Sequence, residues 1–209
     1  MGRFVLLYLF IGLVMGLAAC APQLEPEESC NFVRNSMERR VSWSDTPLVV
    51  GVEDTVPTYF HDEIKKAMHT WETVLGGKKL FKPELKTIHR SEVNTVNISF
   101  LWETSWAATP SGGASGIPGA KEQAKTSISF QSDNIYRAIV FYNAQDNEFS
   151  AGAHYGATDI ASVTLHELGH AIGLDHIQQE DSVMYPKLKT NTVRMEPTET
   201  DINSLQCEY

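Results

Sequence analysis

Between His61 and Leu75 the apolar residues Ile64, Met68, Trp71 and Leu75 recur at steps of three and four. That spacing marks one face of an α-helix, and Gly76-Gly77 ends it. Just upstream, Pro47-Leu48-Val49-Val50-Gly51-Val52 is a short β-rich run. The period changes to two from Val93 to Trp102, which places Val96, Ile98, Phe100 and Trp102 on one side of a predicted strand. Thr126–Phe130 and Ile139–Tyr142 predict two more strands. Thr109–Ala120, with four glycines and two prolines, predicts a loop. A second helix is expected over about Thr158 to Leu174. A third runs from Thr198 to Gln206, opened by the capping pattern Thr198-x-x-Asp201. Trp71 and Met68 share a helical face and read as core, and His61, His69, His89 and His154 read as ordinary surface or hydrogen-bonded histidines.

The first 29 residues follow a different pattern. Arg3 precedes an uncharged apolar run from Phe4 to Leu17 and the small-residue stretch Ala18-Ala19-Cys20-Ala21. A positive start, an apolar middle and a small-residue exit predict a secretory signal peptide over residues 1–19. An uncleaved membrane anchor competes with it, because about 18 apolar residues just span a bilayer. Leu17-Ala18-Ala19-Cys20 resembles a bacterial lipobox, and the resemblance implies cleavage before Cys20 with lipid on that cysteine. The expected location is then the cell envelope, on the periplasmic or cell-surface side and attached to the membrane by lipid. An ordinary A-x-A cleavage would give simple secretion instead. Residues 20–29, with two prolines and three glutamates, read as the anchor cysteine and a tether, and 30–209 as one domain.

Composition narrows the class. A chain of 209 residues holds one ordinary domain, and 42% hydrophobic with 21% charged residues is the balance of a globular protein. A formal charge of −9 argues against a nucleic-acid partner, which needs a basic face. The three cysteines are Cys20, Cys30 and Cys207, an odd number. With lipid on Cys20, the other two remain as a pair, in a compartment where disulfides persist. A Cys30–Cys207 bridge would close a loop of most of the domain, contributing about 4–5 kcal/mol in the chain-entropy account. Two unconnected thiols are the alternative.

The chemistry is concentrated in His166-Glu167-Leu168-Gly169-His170-Ala171-Ile172-Gly173-Leu174-Asp175-His176. Histidines four apart on a helix project from the same side and can grip one ion. Gly173 can take the left-handed conformation that ends the helix and turns the chain back. His176 can then complete a three-histidine zinc site, with the fourth position left for water as in catalytic zinc centres. Glu167, beside His166 and not needed as a ligand, is placed to act as the base. Five fixed residues in this arrangement arise by chance on the order of once in ten million starting positions.

H-E-x-x-H-x-x-G-x-x-H followed by a methionine turn marks the metzincins, and Ser182-Val183-Met184-Tyr185-Pro186 resembles that turn. The step from His176 to Met184 and the Tyr-Pro after it are similar to the matrixins, the matrix-metalloproteinase group. The resemblance extends from about Leu48 to Leu205. It implies an α/β zincin fold: a twisted, mostly parallel sheet, an active-site helix and a small C-terminal part. It also implies one catalytic zinc, a floor made by Met184, and a substrate-pocket wall that includes Tyr185 and Pro186. An edge strand, for which Thr126–Phe130 is the candidate, would pair with an extended peptide or protein substrate. Two features depart from the family pattern: Ile177 stands where matrixins often have serine, and no cysteine-switch segment is found. The calcium sites and second zinc of animal matrixins have no clear equivalent, His154 alone being too little, so calcium is left open. The expected protein is a monomeric metalloendopeptidase. Its rivals are a non-catalytic zinc-containing lipoprotein acting as a binding module and a small-molecule metallohydrolase.

Overall fold

A computed structural model of the chain describes residues 30–106 and 122–209. The signal peptide, Cys20, the tether and the loop Thr109–Ala120 lie outside the described residues. Five strands form the main sheet: β1 (Leu48–Glu53), β2 (Phe81–Ile88), β3 (Ile98–Glu103), β4 (Ala124–Gln131) and β5 (Asn134–Asn143). They lie in the order β2-β1-β3-β5-β4, all parallel except β4, which runs antiparallel at one edge. The fold is the mixed α/β arrangement, with a mostly parallel sheet, that the matrixin resemblance implies.

The helix α1 (His61–Val74) buries Ile64, Ala67, Met68 and Trp71, the face its sequence period marks. It packs on α2 (Ile160–Ala171), and the Trp71 indole donates to the Leu165 carbonyl at 2.9 Å. α2 in turn lies against β4 and β5. Two short strands, β6 (Phe149–Ser150) and β7 (Thr158–Asp159), pair just before α2. A final helix, α3 (Glu199–Gln206), starts at the predicted cap: Thr198 and Asp201 bond each other's backbone N–H.

Several boundaries differ from the sequence pattern, each for a local reason. The strand expected from Val93 begins at Ile98, because Arg90–Thr95 is a 3₁₀-helix opened by a capping box between His89 and Glu92. The second helix begins at Ile160 and not Thr158, because Asp159 serves as its cap and Thr158 pairs with Phe149. The strand β2 has no predicted counterpart. Only its end residues Phe81 and Ile88 are buried, so it shows no alternation. Lys82, Pro83, Glu84 and Lys86 between them suit an edge strand that must not recruit other chains. Among the described residues no helix is long and apolar enough to cross a membrane.

Candidate metal centre

The site rests on how α2 begins and ends. At its start Asp159 accepts from the Ser162 N–H (2.9 Å) and hydroxyl (2.6 Å), and its other oxygen accepts from the Gly152 N–H (2.7 Å). This satisfies donors that a helix start leaves open. At its end Gly173 has φ +103°, and a Cβ there would sit 2.3 Å from the Val41 carbonyl oxygen. The chain can therefore leave the helix axis only with glycine at this point. That turn brings His176 back toward His166 and His170.

The three imidazoles converge. Nε2 of His170 lies 3.1 Å from Nε2 of His166 and 3.1 Å from Nε2 of His176. Nδ1 of His166 donates to the Val183 carbonyl (2.8 Å), and Nδ1 of His170 to the Leu174 carbonyl (2.9 Å). A carbonyl can only accept, so Nδ1 carries the proton in each ring and Nε2 presents a lone pair. Burial pushes the pKa of all three rings down. For His166 the neighbouring histidines add to this, and it lies well below the usual range; His170 falls to about 4. Neutral rings with lone pairs turned toward one point repel each other unless a cation lies between them. They suit zinc, which requires deprotonated ligands. Two nitrogens bound at 2.0–2.1 Å with a tetrahedral angle are about 3.3–3.4 Å apart, close to the spacing seen. Among the described residues this is the one group of three or more metal-ligating side chains. His89 is instead engaged with Asp54 (2.6 Å) and His69 with Thr73.

Glu167, the residue after His166 on α2, is buried, 5% exposed. Burial raises its pKa and the charge of Glu122 adds to that, while a hydrogen bond from Thr126 opposes it; the result is about 7. Thr126, on β4, donates to carboxylate Oε2 at 2.5 Å, and its hydroxyl also lies 3.1 Å from the Glu167 carbonyl oxygen. The sequence pattern identified the strand but not this contact.

Met184 is fully buried, its sulfur so close to α2 that a Cβ on Gly169 would meet it at 2.3 Å. Asp201 builds this turn. One carboxylate oxygen accepts from the Ser182 hydroxyl (2.6 Å) and the other from the Val183 N–H (3.1 Å). The Ser182 hydroxyl oxygen then accepts from the Met184 N–H (2.9 Å). Because Val183 also accepts from His166, the α3 cap reaches a metal-site histidine through two bonds. The capping pattern located Asp201, but no sequence signal connected it to the turn. Ile177 is buried, and its N–H donates to the Met184 carbonyl (3.1 Å), tying the third histidine's segment to the turn. Tyr185 is half-buried and Pro186 exposed; the Arg194 guanidinium lies 5.9 Å from the Tyr185 ring and donates to the Tyr185 carbonyl (3.2 Å).

The N-terminal segment straps the far side of the turn. Cys30 and Cys207 are disulfide-bonded, with Cα atoms 6.2 Å apart. Asn31 accepts from the Asp175 N–H (2.7 Å), and the Val33 N–H donates to Gly173 (2.8 Å). The Trp43 indole donates to Ala171 (2.8 Å) and the Tyr209 hydroxyl to Ile172 (2.7 Å). Three carbonyls at the end of the helix, which a helix cannot satisfy itself, are thus met by these donors.

The fold is mixed α/β, and it brings three histidines together as a group that could hold a metal ion. The Matrixin family model matches residues 46–209, and the chain belongs to that family. Among curated proteins it is similar to metalloendoproteinase 2-MMP of Arabidopsis thaliana, 40% identical over 53 residues, which are 25% of this chain and 14% of that protein. It is also similar to metalloendoproteinase 1-MMP of the same plant, 43% identical over 51 residues, 24% of this chain and 14% of that one. The matched part therefore spans about one-seventh of these relatives.

Proposed function

We propose that the domain is a zinc-dependent endopeptidase in which His166, His170 and His176 hold one catalytic zinc and Glu167 is the general base. The observation that carries this reading is the convergence of three neutral Nε2 atoms with a buried carboxylate on the next residue. The relatives' names, metalloendoproteinases, point the same way. When bound, the zinc would supply Lewis acidity for a peptide carbonyl and for a water.

The protein's own groups supply the rest. Glu167 takes a proton from the attacking water and returns it to the leaving amine nitrogen. A pKa of about 7 suits both halves of that transfer, and a cation held by the histidines would draw the carboxylate toward its ionised form. Among the described strands β4 lies at one edge of the sheet, the edge proposed to receive an extended peptide. Tyr185 and Pro186 wall the pocket for the residue after the cleaved bond. Met184 supports the histidines without ligating. Upstream, the sequence of residues 1–29 supports export with Cys20 as a lipid anchor, and N-terminal peptide mass from native membranes tests that part.

The test of the mechanism is Glu167→Ala, which removes the base but no ligand. General-base catalysis contributes about 10²–10⁴-fold, so hydrolysis of an unfolded protein should fall at least about a hundredfold at unchanged zinc content. Equal activity at equal zinc would refute the assignment. No wild-type hydrolysis under conditions of full zinc loading would favour a binding module.

A further inference from the structure

We propose that Thr126 is a positioning residue for Glu167, fixing which carboxylate oxygen works as the base; this rests on the general-base reading above. The register of the sheet puts its side chain in the right place. Thr126 lies opposite Val140 in the antiparallel pair, as Ala124 lies opposite Tyr142 and Ile128 opposite Ala138. Paired residues share a face, and this face meets α2, since the Tyr142 hydroxyl lies 2.6 Å from that of Thr164 on that helix. Ala124 and Ile128 have no donor to offer. Thr126 is the polar side chain that this stretch of β4 turns toward α2.

Its single proton has two oxygens within reach, the Glu167 carboxylate Oε2 at 2.5 Å and the Glu167 carbonyl at 3.1 Å. The shorter, charge-assisted contact is the stronger. Oε2 is therefore held, while among the described residues Oε1 accepts no hydrogen bond. One oxygen anchors the carboxylate and the other is left to exchange a proton with the reacting atoms. A glutamate has three rotatable bonds, and an unanchored carboxylate would spend much of its time turned away from the site. Small misplacements of a catalytic group can cost about a hundredfold in rate.

The experiment is a cycle on the zinc-loaded protein: wild type, Thr126→Val, Glu167→Gln and the double variant, with Thr126→Ser as rescue. Turnover, KM, zinc content and urea unfolding are measured on each. Valine keeps the shape and removes the hydroxyl. The expected result is a fall in kcat of about ten- to a hundredfold in Thr126→Val, with KM and zinc content unchanged and serine restoring activity to within about threefold. In the Glu167→Gln background the same change should alter the residual rate by less than about twofold. The unfolding constants should show a coupling between the two positions of about tenfold or more. If Thr126→Val does not fold, Thr126→Ala takes its place in the cycle. Full kcat in Thr126→Val, alongside a large loss in Glu167→Gln, would overturn the positioning role and leave Glu167 as base. An equal loss in both backgrounds would also overturn it, since Thr126 would then act through another group. Full activity in Glu167→Gln would refute the base itself and the inference with it.

Discussion

Gly173 stands where one residue decides whether a third histidine reaches the metal site. Two constraints meet there: a φ of +103° and a Val41 carbonyl oxygen 2.3 Å from where a Cβ would lie. Gly76, at φ +64° with nothing within 4 Å, has the first constraint alone. Gly76→Ala is therefore expected to cost about 1–2 kcal/mol, the backbone contribution. Gly173→Ala adds a collision with backbone that cannot rotate away, and about 2–4 kcal/mol is expected in total. Urea unfolding at fixed zinc, with zinc affinity measured in parallel, separates the two: only Gly173→Ala should weaken zinc. Equal losses in both variants, or unchanged zinc affinity in Gly173→Ala, would show that the turn is more adaptable than its packing suggests. The sequence made this residue legible because helix spacing and glycine's conformational range are local properties. Asp201 and Thr126 were not legible in the same way. Their partners, Val183 and Glu167, lie 18 and 41 residues away, and no periodicity encodes a contact between separate elements.

Among the elements, those whose burial is one-sided were the ones visible in the pattern. α1 shows its face because Ile64, Met68 and Trp71 are buried along it. β2 hides because its interior is charged and exposed, and β6 and β7 because two residues each carry no period. The N-terminal strap is legible only at Cys30: its bonds at Asn31 and Val33 run through backbone groups, which any side chain could accompany. Its disulfide, with partners 177 residues apart, should be the element-level determinant of how firmly the helix end is held. A loop of that length corresponds to about 5 kcal/mol in the chain-entropy account, and measured values commonly fall in the range of about 2–5 kcal/mol. The Cys30→Ser, Cys207→Ser double variant is expected to lose stability in that range. Hydrogen exchange at the Val33 and Asp175 amides should quicken with it, because both bond across the strap. Unchanged exchange at those two amides would mean that the strap holds without its covalent clasp.

At the scale of the whole molecule, the sheet is joined at its strand ends by a charged cluster well separated in sequence from the histidines. Glu53 closes β1 and is 3% exposed; Arg90 follows β2; Glu103 closes β3. Arg90 bonds both oxygens of Glu53 (2.7 and 3.1 Å) and Glu103 at 2.6 Å, while the Trp102 N–H and Thr55 hydroxyl also donate to Glu53 (3.0 and 2.7 Å). Burial pushes the Glu53 pKa up, but the bonds from Arg90, Trp102 and Thr55 together with the Arg90 charge outweigh it, and it lies below 4.5. A carboxylate depressed on folding binds fewer protons in the native than in the unfolded state, so stability rises with pH in that range. Glu53 thus contributes fully above about pH 4.5, and its contribution is lost as pH falls through its lower, folded pKa. Arg90→Met removes the partner and leaves a buried carboxylate. Removing one member of a buried pair costs about 3–5 kcal/mol; Arg90 is 51% exposed, and screening lowers the expected loss at pH 7 to about 2–3 kcal/mol. Without the cation, only the Trp102 and Thr55 bonds are left to oppose burial, so the Glu53 pKa rises and the variant loses stability from a higher pH. Below the folded pKa of the wild type both proteins carry a protonated Glu53, and the gap between them should close. Acid removes zinc from both proteins, so the difference between the two urea-unfolding series, taken from pH 7 to pH 3, isolates the cluster. A gap that stays constant across that range would mean that Arg90 acts by packing, and that Glu53 is not the group whose proton it controls.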